Sequence, residues 1–292
     1  MRSLKILDSL SRPGAPGRYN EDCMGWTKSA CFVLDGATGL GGGRLTSHPG
    51  SDAAWLAEMA RNRLAALCAS GQYTTDIVRK INSDVADFLG AEIGPDPVED
   101  WRYPVAGFEM LRLIGDSLEI SGLGDCVLYI VNSEGAAFSH TPLPEFSDAE
   151  RESAREVIAR SGSLTRLPSM LHDEAEQGRM REFRASYNKP GSPIWTLGRE
   201  PVAADHVSFA EMSKEFLVAG PLHGLLCSDG FSALVDRYAA YSASGLVDAA
   251  RERGLDELYA ELRRIEADDP DGRAFPRFKQ SDDATAILFR VS

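Results

Sequence analysis

The chain has 292 residues, 43% hydrophobic and 26% charged, with a net charge of −13. That balance suits a soluble enzyme with a large core and argues against general binding to nucleic acid or anionic lipid. No apolar run approaches the roughly 18 to 20 residues that cross a bilayer, and residues 1–10 lack the layout of a secretory signal. A cytoplasmic location with no membrane partner is therefore expected. The five cysteines form no CxxC pair, and Cys31, Cys126 and Cys227 fall within or beside apolar runs, which reads as reduced, packed thiols.

In chain order, residues 3–34 read as two short strands around a Gly/Pro turn at 11–17. The run Cys31-Phe32-Val33-Leu34 stops at Asp35-Gly36. Ser51 is placed to cap a helix whose apolar residues Ala53, Leu56, Ala60, Leu64 and Leu67 recur at helical steps. A second helix is predicted near 75–89. Strands are predicted over about 105–139: segments 108–113, 117–123 and 127–131, with turns at 114–116, 124–125 and 132–135, predict a meander of hairpins. The stretch 147–187 predicts a helical insertion in which arginines alternate with acids, an ion-paired surface rather than a cationic wall. Strands near 194–196 and 224–227, helices near 231–242 and 244–266, and a last strand at 284–291 complete one domain over 1–292. The order favours an α+β fold of antiparallel sheets flanked by helices over a βαβ parallel sheet.

Acidic residues recur where these strands meet loops: Asn20-Glu21-Asp22, Leu34-Asp35-Gly36, Gly124-Asp125, Ser228-Asp229-Gly230 and Ser281-Asp282-Asp283. Each motif alone is a common turn. Together they would bring hard oxygen donors to one edge, the donor set that Mg²⁺ and Mn²⁺ take. Two such ions about 3.5–4 Å apart lower the pKa of a water and clamp a phosphoryl group.

In this order the motifs resemble the type 2C, metal-dependent protein serine/threonine phosphatases over about residues 14–290. The resemblance implies a sandwich of two antiparallel β-sheets flanked on both sides by helices. It implies hydrolysis of phosphoserine and phosphothreonine on proteins by a hydroxide bridging two Mg²⁺ or Mn²⁺ ions, with a phosphorylated protein as partner and a serine/threonine kinase in opposition. Asp35 would bridge the ions, the Gly36 carbonyl and Glu21 would join it, and Asp229 and Asp282 would hold the second ion. Asp22 would orient water, and Arg18, or Arg12 in its place, would hold phosphate. Asp125 would serve a weak third ion or an outer role. The chain departs from the family at Ala37-Thr38-Gly39, where a histidine is often found, at Ala233, which replaces a late aspartate, and at Asp283, where asparagine is usual. A small phosphorylated metabolite as substrate, or a binding module without turnover, are the alternatives.

Other phosphate chemistries find no support. No cysteine has an arginine six positions on, the residue two beyond Asp35 is Ala37, and the glycine run 39–43 lacks a following Gly-Lys-Ser/Thr. That run reads as a flexible loop near the metals. The histidines show no zinc spacing, and Ser228 has no GxSxG context.

Overall fold

The computed structural model describes residues 2–37, 39–95, 97–144, 146–166 and 174–292. Among the described residues ten strands form two five-stranded sheets in which every pairing is antiparallel. The first sheet has the order β1 (Leu4–Arg12), β10 (Ala284–Val291), β9 (Leu222–Cys227), β6 (Val127–Val131), β7 (Ala137–His140). The second has the order β2 (Cys23–Trp26), β3 (Ala30–Gly36), β4 (Ala106–Ile114), β5 (Ser117–Leu123), β8 (Ser208–Ala210).

The helices are α1 (Asp52–Leu67), α2 (Thr74–Ile93), α3 (Phe146–Ser161), α4 (Glu174–Ala185), α5 (Lys214–Val218), α6 (Asp229–Asp236), α7 (Ala243–Arg253) and α8 (Leu255–Asp268). The central strands are apolar on both faces because both faces are covered. In β3, Phe32 and Leu34 pack against α1 and α2, while Cys31 and Val33 point between the sheets. In β9, Leu225 and Cys227 meet α6 to α8, and Leu226 points inward. Burying each such leucine or phenylalanine stabilises the fold by about 1.5–3 kcal/mol. The layers are helix, sheet, sheet, helix, as the family resemblance implies. Ser51 caps α1 by accepting the Ala54 N–H at 3.1 Å.

Several expectations are corrected. The opening segment holds three strands, because residues 30–36 pair with both β2 and β4. Gly124-Asp125 is no hairpin turn: β4 and β5 form a hairpin, but β6 crosses to the other sheet and pairs with β9 and β7. The helix foreseen at 244–266 breaks at Gly254 (φ +83°), where the Asp8 carboxylate caps the new helix through the Leu255 N–H at 2.9 Å. Residues 194–196 form no strand, and their neighbour Leu197 makes a single bridge to Ala106. The strand expected after the 132–135 turn is β7, whereas β8 and the short α5 were not foreseen. The insertion contains α3 and α4, and residues 167–173 between them lie outside the described residues.

One charged group is enclosed between the sheets. Glu109 of β4 is fully buried; its Oε1 lies 2.7 Å from His140 Nδ1, and its Oε2 has no hydrogen-bond partner among the described residues. His140 Nε2 meets Ser208 Oγ at 3.0 Å, so the chain of contacts joins edge strands of both sheets. Burial pushes the Glu109 carboxyl up to about 7, against the opposing pull of His140. A carboxyl raised on folding favours the folded state below its unfolded pKa, and that contribution fades as pH climbs through the folded value. Relative to wild type, Glu109→Gln should therefore gain stability by up to about 3 kcal/mol between pH 4.5 and pH 8. Urea unfolding of both proteins across that range measures it, and parallel curves would refute it.

Candidate functional site

The register of the two sheets places one set of strand ends together. Pairing of Cys23 with Leu34 brings Asp22, just before β2, alongside Asp35 near the end of β3. Asp35 pairs with Gly107, and a side chain added at Gly107 would lie only 3.2 Å from Asp125 Oδ1, so the absence of a side chain there lets Asp125 overhang Asp35. In the other sheet, Cys227 pairs with Ala286. Ser228 then exchanges hydrogen bonds with Thr285, its N–H donating to the Thr285 carbonyl and its Oγ accepting the Thr285 N–H, both at 3.0 Å. Asp229, in the first turn of α6, and Asp282, just before β10, are thereby neighbours.

Two glycines of the acidic motifs are required by close approach. A Cβ at Gly36 would lie 2.6 Å from the Glu21 carbonyl oxygen and 3.0 Å from that of Ala53. A Cβ at Gly230 would lie 1.9 Å from the Asp283 carbonyl oxygen. Any larger residue would push apart the chain segments that carry the acids. Glu21 is set by Ser51, whose hydroxyl donates to Oε1 at 2.5 Å while capping α1.

The electrostatics record the crowding. Burial first, then repulsion from Asp22, Asp229, Asp125 and Asp282, raises the Asp35 carboxyl well above the usual carboxylate range. Asp22 is raised by burial despite a hydrogen bond with Ser228, and its Oδ2 is buried with no partner among the described residues. Asp229 is raised by burial and by Asp282, and it lies within hydrogen-bond reach of Asp35. Asp125 is pushed up to about 7 by burial and by Asp229. Asp282 differs. Burial would raise it too, but the Lys279 ammonium, 2.8 Å and 3.1 Å from its two oxygens, outweighs that and holds it low.

These donors are all hard oxygens, and the unbonded Asp22 Oδ2 faces a net negative neighbourhood, so the residues present fit divalent cations. Among the described residues no group of three acidic, histidine or cysteine side chains is arranged to hold a metal ion as it stands. Beside the acidic edge lies a cavity of about 280 Å³ lined by Asp125, Asp229, Ala233, Glu150, Arg237 and His140, among others. In it Arg237 pairs with Glu150 at 2.8 Å.

No family model matches the sequence, and no curated protein matches it. Among solved structures the chain is similar to the serine/threonine phosphatase PstP/Ppp of Mycobacterium tuberculosis, at a TM-score of 0.53 and 17% identity over 98% of each chain. It is similar to the PstP catalytic domain in complex with two manganese ions, at 0.52 and 17% over 100% of this chain and 99% of that one. It is also similar to the PPM Ser-Thr phosphatase MsPP of Mycobacterium smegmatis in complex with cacodylate, at 0.52 and 17% over 97% and 98%. The fold is that of the PPM serine/threonine phosphatases.

Within that fold the sequence-predicted acids Glu21, Asp22, Asp35, Asp229 and Asp282, with Gly36, gather at one edge, and Asp125 joins them. The arginines do not. Arg18 is exposed in the 14–18 turn, and Arg12 turns to Asp256 of α8 at 3.4 Å. The glycine run is not the free loop expected: Arg181 of α4 donates to the Leu40 carbonyl at 3.1 Å and stacks on Trp101, and Arg102 donates to the Gly42 carbonyl at 2.6 Å. In α3 the expected ion pairing holds, with Arg151 to Asp148 and Arg155 to Glu152. Thr38 lies outside the described residues.

Sequence reasoning missed Lys279 and the role of Asp283. Asp283 accepts the Gly14 N–H on Oδ1 at 2.7 Å and the Glu21 N–H on Oδ2 at 2.6 Å. It clamps both ends of the 14–21 loop, a task that needs two acceptors and explains aspartate where asparagine is usual. Asp283→Asn should turn an amide donor toward one of these N–H groups and destabilise the protein by about 1–3 kcal/mol. A thermal melt reads this, and an unchanged midpoint would count against the clamp.

Proposed function

We propose that the protein is a Mg²⁺- or Mn²⁺-dependent phosphatase of phosphoserine and phosphothreonine on proteins. The observation that carries this reading is the convergence of Asp22, Asp35, Asp125, Asp229 and Asp282 from separate strand ends, with one Asp22 oxygen buried and unbonded. The fold shared with PstP, whose catalytic domain binds two manganese ions, supports it.

In this reading Asp35, Asp229 and Asp282 would hold the ions, and Glu21 and the Gly36 carbonyl would assist Asp35. When bound, two such ions supply an activated water and neutralise charge on the phosphoryl group. The protein's part is positioning. Asp22, fixed through Ser228, is an acceptor for a water proton, and its raised pKa reflects burial beside other acids. The Asp283 clamp fixes Gly14 and Glu21 at the ends of the 14–21 loop, and the exposed Arg18 on that loop would have to turn to the acidic edge to serve as the proposed phosphate contact. An arginine fork matches two phosphate oxygens. A kinase that phosphorylates the same protein substrate would oppose the reaction.

Asp35→Asn should lower turnover of an aryl phosphate by at least about 10² under metal-replete conditions, the scale lost when one charge-stabilising group is removed. Chelation should abolish wild-type turnover, and added Mn²⁺ should restore it. Near-wild-type turnover by the variant, or chelator-resistant activity, would overturn the assignment. Phosphopeptides should outcompete small phosphorylated metabolites as substrates in the same assay.

A further inference from the structure

Lys279 stands out among the cations near the acidic edge. Arg237 is engaged by Glu150 at 2.8 Å, and Arg263 pairs with Glu266 at 2.7 Å while donating to the backbone carbonyl of Asp282. Among the described residues only Lys279 makes a salt bridge to one of the five aspartates, and it does so through both Asp282 oxygens. Its ammonium also feels the fields of Asp229 and Asp35.

The placement is built by the surrounding loop. Arg277, 3% exposed, binds the Asp269 carboxylate and the backbone carbonyls of Glu266, Asp269, Phe275 and Gln280. Gln280 Nε2 donates to the Glu266 carbonyl, and Ser281 Oγ donates to the Glu266 carboxylate. The backbone on both sides of Lys279 is thus tied to the end of α8. The side chain itself is 39% exposed, and its four-carbon stem turns readily, so the ammonium has a path from Asp282 to solvent.

We infer that Lys279 is an intramolecular counter-ion of the acidic centre, seated on Asp282 in the metal-free protein and displaced when a divalent cation takes that carboxylate. The inference rests on the reading of Asp282 as a metal ligand. An ammonium on both Asp282 oxygens and a divalent cation draw on the same carboxylate charge, and the two positive charges repel each other. Cation binding and the Lys279 contact are therefore negatively coupled, and by linkage each weakens the other by the same factor. The contact neutralises a buried acid while no metal is bound and lowers the affinity for the metal that replaces it.

Calorimetric titration of Mn²⁺ into the metal-free full chain tests this. Removing the competing ammonium in Lys279→Met should tighten Mn²⁺ binding by about five- to a hundredfold, the usual range of coupling between sites. Lys279→Arg, which keeps the cation, should stay near wild type, and Lys279→Gln serves in place of the methionine variant if that one folds poorly. In thermal melts Lys279→Met should fall below wild type without metal and match or exceed it with Mn²⁺. Equal or weaker Mn²⁺ binding by both neutral variants would overturn the inference while leaving the phosphatase reading intact, provided Asp282→Asn weakens Mn²⁺ binding. If Asp282→Asn binds Mn²⁺ as wild type does, Asp282 is no ligand and both readings fall.

Discussion

Everything about this molecule turns on holding like charges together. Asp22, Asp35, Asp125 and Asp229 each have a carboxyl raised by burial and by neighbouring acids, so the edge that carries them works against folding when the groups are ionised. The opposing force lies in the layers behind that edge. Phe32, Leu34, Leu226, Ile287 and Phe289, all fully buried, anchor the strands whose ends bear the acids. Ladder hydrogen bonds then set the register to the residue, and a slip of one would turn an aspartate into the core.

Close approach is the second constraint. Within each sheet the acid-bearing segments lie close together because Gly36 and Gly230 admit backbone oxygens of Glu21 and Asp283 where a Cβ would stand. The glycine after each aspartate is therefore a steric requirement of the site as well as a turn residue. Hydrogen bonds finish the assembly: Ser51 links Glu21 to the start of α1, and Ser228 links Asp22 to the strand pair that presents Asp229.

Much of this was legible in the sequence because it is local. An apolar run that halts at Asp-Gly, a serine before a helical period, and a closing apolar strand after Asp-Asp each announce themselves within ten residues, and their order carried the fold. What escaped is what distance decides. Gly124, with φ +80°, has the turn chemistry of a hairpin, but Cys126, Leu128 and Ile130 pack between the sheets with β9 as partner, and nothing near Asp125 encodes that choice. The break at Gly254 depends on Asp8, 247 residues away in sequence. The arginines of the insertion read as generic ion pairs, while Arg181 clamps a carbonyl 141 residues away.

The tandem Asp282-Asp283 shows how two adjacent acids serve two needs. Asp282 faces Asp229 and Lys279, and Asp283 faces the backbone N–H groups of Gly14 and Glu21. The first acid meets a cation that can be exchanged. The second meets fixed dipoles that cannot, and so holds the loop in place whatever occupies the centre. Its charge still raises the neighbouring Asp22, which adds to the demand for positive charge at the same edge. A site that needs cations is thus held together by an acid that strengthens the need.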